Sequence, residues 1–311
     1  MSHVATVAPQ TRAFSPIHTG VLAGLVAAVI WGAYLSLSRA GVASGLDGFD
    51  VAFLRYAVAG PVMGLAWVAF KSGQRPALHP GQAVAVALLL GPPFVLLSVG
   101  GYAYAPLAHG AVILPATLTL AGFILARVFL GQRLSLGQII GATAILSGLV
   151  LIAGPTVLTG SALALRGDAM FVLAGLFWAG FSVLQQRWKL NAVDVTLVVS
   201  LAGLVSVVPA YLVLRGPEVL LALPASMLAT QIVVQGTLSG IIAMIAFAQA
   251  VKLLGAAKAA TFPALVPGFA LLIGIPLTME IPGPLQVAGL AVVALGLLVA
   301  LTVRRSEPAS A

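Results

Sequence analysis

The chain is 311 residues long, 61% hydrophobic and only 7% charged, with a mean hydropathy of +1.14. No soluble domain of ordinary design has that composition, so the fold class it indicates is an all-α membrane protein. The absence of cysteine excludes disulfides, thiolate catalysis and cysteine-ligated metals, and the net charge of +8 is spread over loops instead of forming the single patch that nucleic acid would need.

Residues 1–16 form a short tail that carries Arg12 and lacks the apolar stretch of a cleavable signal peptide. Ten apolar runs follow, each near the roughly 20 residues that cross a bilayer. They cover residues 17–37, 51–70, 82–102, 108–130 and 136–152, then 167–185, 195–214, 228–251, 256–278 and 283–303. The expected organisation is a first five-helix repeat (17–153), a linker (154–166), a second five-helix repeat (167–303) and a polar tail (304–311).

The repeat is read directly from the residues. A shift of 148 places Pro115 on Pro263, Gln132 on Glu280, Gln138 on Gln286, Gly141 on Gly289 and Gly148 on Gly296. Earlier in each half the offset is 147 at the tryptophans, Trp31 over Trp178, and Asp50-Val51 resembles Asp194-Val195. At the ends of the third spans Tyr102-Ala-Tyr104-Ala matches Phe247-Ala-Gln249-Ala. Five spans per half is an odd number, so the halves are expected to lie in the membrane in opposite orientations.

Charge placement gives an independent expectation for topology. With the amino terminus inside, 11 Lys and Arg fall on the cytoplasmic side, among them Lys71, Arg133, Arg187 and Lys252, against 3 outside, Arg39, Arg166 and Arg215. That bias puts both termini in the cytoplasm.

Pro115 and Pro263 each remove an amide donor and crowd the carbonyl four residues back, at Ala111 and Ala259. In hydrocarbon a freed carbonyl is tolerated only against protein or a watery cavity. The pair therefore reads either as the lining of a central site or as packing kinks. Trp31 lies 14 residues into its span, roughly 21 Å by helical rise, away from the interface where belt tryptophans gather. Trp31 and Trp178 are cavity-wall candidates, with Tyr34, Tyr102, Phe181 and Phe247 as further candidates that could equally pack between helices.

Ionisable groups within spans default to a functional reading. Arg55, five residues into the second span, is expected to snorkel outward and pair with Asp47 and Asp50. His109 opens the fourth span, as a helix-start polar residue, a proton relay or a cargo contact, and Glu280 ends the ninth as a cap or loop residue or a coupling group. The glycines of the fifth and tenth spans, two turns apart, suit close helix packing, within the chain or at a dimer contact.

These residues together resemble a known family. Ala108-His109-Gly110-Ala111…Pro115…Leu130-Gly131-Gln132-Arg133-Leu134-Ser135…Gln138…Gly141…Gly148, with Gly255-Ala256…Pro263…Glu280…Gln286…Gly289…Gly296, resembles the drug/metabolite transporter superfamily in its EamA-type branch. Within it the chain is similar to the YddG-type exporters, whose typical cargo is aromatic amino acids. The family pattern has Glu at both repeat ends, and Gln132 departs from it. The resemblance implies a secondary transporter in a bacterial inner membrane that exports amino acids by alternating access, as a monomer or homodimer among lipid. Efflux of apolar drugs or other metabolites is the second reading. A membrane enzyme is the third, and it lacks paired carboxylates, an HExxH helix or a Walker motif. No cofactor and no nucleic-acid partner is expected.

Overall fold

The computed structural model describes residues 15–43, 45–71, 78–105, 107–153, 163–278 and 283–302. Among them every regular element is helical, the outcome expected where hydrocarbon cannot satisfy backbone groups from outside. The first half contains α1 (Pro16–Ala43), α2 (Gly48–Lys71), α3 (Pro80–Leu90), α4 (Pro92–Gly100), α5 (Leu107–Leu130) and α6 (Leu136–Ala153). In the second half are α7 (Ala164–Trp188), α8 (Ala192–Leu214), the short α9 (Glu218–Leu221), α10 (Ala225–Gln231) and α11 (Ala243–Leu254), then α12 (Ala256–Ala259), α13 (Val266–Thr278) and α14 (Pro284–Thr302).

Three expected spans differ from continuous helices, each for a local reason. The third is divided at Gly91, because Pro92 and Pro93 cannot donate to the turn before them. The eighth carries a π-helical stretch, Ile232–Ile242, between α10 and α11. The ninth breaks into α12, a 3₁₀ turn at Phe262–Leu265, and α13. Among the described residues, seven helical stretches are long and apolar enough to cross a membrane. Two shorter apolar helices span residues 136–152 and 287–300. Leu65, Val128, Val205 and Val213 stand exposed on the outside, as lipid-facing side chains would.

Packing follows the repeat. α6 packs on its counterpart α14, and α2 on its counterpart α8. α5 packs on α7 while α13 packs on α1, and α4 on α7 while α11 packs on α1. Exchanging the halves maps this set of contacts onto itself. The α6–α14 seam uses the repeated glycines: a Cβ on Gly141 would stand 2.6 Å from the Gly296 carbonyl oxygen, and one on Gly148 would stand 2.7 Å from that of Gly289. These glycine faces meet each other inside one chain, so they are not free for the dimer contact considered above.

An ion-pair clasp ties the start of α2 to the end of α8. Arg215 Nε and Nη2 donate to the two Asp50 carboxylate oxygens at 2.8 and 2.9 Å, and the Tyr211 hydroxyl donates to Asp50 at 2.6 Å. Arg215 also reaches Asp47 at 2.9 Å. These bonds, with the Asp50 hydrogen bond foremost, raise the already high pKa of Arg215, so its guanidinium stays charged at physiological pH.

Candidate functional site

The helices surround a cavity that is partly open to solvent. Its position follows from the breaks. Pro115 of α5 and Pro263 of the 3₁₀ turn, equivalent positions in the two repeats, both reach the wall. Trp31 of α1 and Trp178 of α7 also reach it. Their ring centroids are 4.6 Å apart, edge to face at 87°, a favoured aromatic arrangement.

Tyr34 and Tyr102 line the cavity too. Tyr102 packs on Phe171 at 4.9 Å between centroids and lies over Gly110, where a Cβ would come within 2.5 Å of its ring. Six of the nine residues singled out from the sequence are therefore gathered at one place. The other three stand behind it. Phe247 packs against Trp31 and Trp178, with centroids 5.4 and 5.2 Å away, and supports the tryptophans from outside the wall. Phe181 is fully buried away from the cavity. His109 is fully buried, and its Nδ1 meets Asp168 Oδ1 at 2.8 Å, tying the start of α5 to that of α7.

Arg55 is a correction. Its expected carboxylates, Asp47 and Asp50, belong to Arg215. Arg55 instead lines the cavity, 7% exposed, and donates to the Ser239 hydroxyl at 2.9 Å and the Ser239 carbonyl at 3.2 Å. The sequence carried a signal for this. Asp50 and Arg55 are five apart, whereas helix neighbours on one face are three or four apart, so the two side chains point to different sides of α2. Ser98 and Ser239 complete the polar part of the wall; the remaining lining is chiefly apolar.

The Thr119 hydroxyl lies 2.8 Å from the Pro115 carbonyl oxygen and 3.1 Å from that of Ala260, so one side chain bridges α5 and the broken helix around Pro263. Gln132 donates to Gln186 Oε1 at 2.9 Å, and that oxygen also accepts the Ala256 amide at 2.9 Å. The departure from the family's Glu thus forms a neutral latch at the start of α12. Glu280 lies outside the described residues. No group of three or more His, Cys, Asp or Glu that could hold a metal occurs among the described residues.

The model of the EamA-like transporter family matches this chain twice, over residues 18–154 and 165–302. No curated protein matches the sequence. A solved structure described only as "Crystal structure of protein" is similar with a TM-score of 0.74, covering 90% of this chain and 96% of its own. At 19% identity that likeness concerns the fold alone.

Proposed function

The chain belongs to the EamA-like transporter family, and from that premise we propose that it exports amino acids with aromatic or other large apolar side chains. In this reading it is a secondary transporter of the YddG type in a bacterial inner membrane. Ten spans form two inverted five-helix repeats, residues 17–153 and 167–303, with both termini cytoplasmic. The observation that carries it is the pairing at the cavity wall. Trp31 with Trp178, and Pro115 with Pro263, come from equivalent positions and meet around one volume, as a shared midplane site requires.

With the 11-to-3 charge bias setting orientation, the wall residues Tyr34, Arg55, Tyr102 and Gly110 lie outward of the tryptophans. The conformation then corresponds to an outward-facing state. The Trp31–Trp178–Phe247 contact and the Gln185 amide donating to the Ala248 carbonyl at 2.8 Å close its inner side. Alternating access would open this side and close the other.

The apolar wall alone would also suit efflux of apolar drugs, which is the second reading. Counterflow in liposomes separates the two: liposomes holding the purified protein are loaded in turn with unlabelled phenylalanine, threonine or one of a panel of apolar drugs, and entry of the same compound in labelled form is followed. No Asp or Glu stands on the described wall, so phenylalanine exchange is expected without an imposed proton gradient. Exchange of drugs with no exchange of any amino acid would replace the first reading by the second.

A further inference from the structure

Arg55 is the one strong cation on the described cavity wall, and its burial calls for a counter-charge. A buried ion keeps a desolvation penalty of several kcal/mol unless it is paired and hydrogen-bonded, and within a membrane such groups commonly serve a ligand. Among the described residues no carboxylate supplies that charge. The nearest in sequence, Asp47 and Asp50, are held by Arg215 at 2.9 and 2.8 Å. Ser239 offers two neutral acceptors only, while a guanidinium has five N–H donors. Three donors and the whole charge are left over.

The position is built. Ser239 sits in the π-helical stretch, close to where that register gives way to α11 at Ala243, and π-helical insertions occur frequently at functional sites. Gly240 packs beside the stem, where a Cβ would stand 3.4 Å from Arg55 Cγ, at van der Waals contact. The two bonds to Ser239 fix the guanidinium plane. A second donor, the Trp178 indole N–H, is buried without a partner on the same wall residue set.

We propose that Arg55, oriented by Ser239, is the carboxylate-recognition point of the cavity, so that the cargo is a monocarboxylate whose apolar group rests on the Trp31–Trp178 floor. The planar fork of arginine matches a carboxylate with two parallel hydrogen bonds. An amine, an amide or an uncharged drug of the same shape would leave the cation unpaired. This rests on the transporter reading above and narrows its cargo, because it distinguishes an amino acid from an apolar amine of equal size.

The test begins with wild-type protein, so that no folding defect intrudes. Thermal stabilisation of the purified transporter is titrated with phenylalanine, 3-phenylpropionate, phenylalaninamide and phenethylamine. The two carboxylates should bind at least about 10-fold more tightly than the amide and the amine, the loss expected when a hydrogen-bonded charge goes unmatched. Arg55→Met should reduce that preference to near unity, and Arg55→Lys, which keeps the charge without the fork, should retain part of it. Equal affinity for phenylalanine and phenylalaninamide in wild type, or an unchanged preference in a folded Arg55→Met variant, overturns the proposal. The amino-acid reading fails separately. If 3-phenylpropionate binds in an Arg55-dependent way while no amino acid is exchanged in liposomes, the carboxylate site stands and the cargo is another carboxylate.

Discussion

Of the contacts that join equivalent helices of the two halves, two are built from opposite materials. α6 and α14 meet through glycine, backbone against backbone, at Gly141–Gly296 and Gly148–Gly289. α1 and α7 meet through the edge-to-face pair Trp31–Trp178 beside an open cavity. At the glycines the seam sets backbone against backbone, so relative sliding of its helices drives carbonyls into Cα atoms. The tryptophan contact is worth on the order of 0.5–1.5 kcal/mol beyond buried area and can part and re-form as rotamers change. One contact holds the halves together, and the other lets them separate at the site.

The largest expected effect comes from breaking the seam. A Cβ on Gly148 would meet the Gly289 carbonyl oxygen at 2.7 Å and the Val293 amide nitrogen at 2.8 Å, and Gly289 meets Gly148 and Ile152 in the same way. Gly148→Ala and Gly289→Ala should each cost about 1–3 kcal/mol of stability by overpacking. Gly180→Ala is the contrast: its nearest atom would be 3.8 Å away, and alanine gains up to about 1 kcal/mol in a helix interior. Thermal unfolding of the three variants in detergent ranks them. If Gly148→Ala melts no earlier than Gly180→Ala, the seam is not the tight contact described.

Loosening the other contact should change selectivity more than stability. Trp31→Ala and Trp178→Ala each remove one wall of the aromatic floor, and Phe247 backs both. Transport of phenylalanine should fall relative to threonine by about 2- to 12-fold, normalised to folded protein. Equal losses for both cargoes would make the tryptophans packing residues and erase the contrast with the seam.

How much of this was legible depends on whether a feature has a residue signature. The helices, the repeat and the glycine seam follow from hydropathy and from one offset, because each is a property of spacing. The site was legible where the repeat marks it, at the tryptophans and prolines. It was missed at Arg55, where proximity in sequence to Asp47 and Asp50 outweighed the five-residue spacing that turns the side chain elsewhere. The break in the ninth span had a signature that the repeat itself concealed. Pro267 stands where the first copy has Thr119, so the Pro263 carbonyl loses its helical donor and accepts instead from Val266. Thr261, standing where the first copy has Ile113, turns its hydroxyl back to the Lys258 carbonyl at 2.7 Å and competes with the helix ladder. The π-helical register around Ser239 has no comparable signature, since it depends on how that stretch itself docks on α2 and α1.

The smallest effect is expected at a single hydrogen-bonding side chain between the two halves. Thr119 lies on α5, which continues as a helix through Pro115, and its hydroxyl spans the Pro115 and Ala260 carbonyls. It is one of the first repeat's contacts with the broken second copy. Thr119→Val keeps the shape and removes only the hydroxyl. Side-chain hydrogen bonds between membrane helices average about 0.6 kcal/mol, and leaving a buried carbonyl short of a donor raises the cost toward about 1 kcal/mol. A modest drop in unfolding temperature is expected, smaller than that of Gly148→Ala, and Thr119→Ser should recover most of it because serine restores the bridging donor. Cargo preference should stay as in wild type, since Thr119 is not among the residues of the described wall. A loss in Thr119→Val that Thr119→Ser does not recover would assign the residue to packing through its methyl group, with the bridge of no consequence.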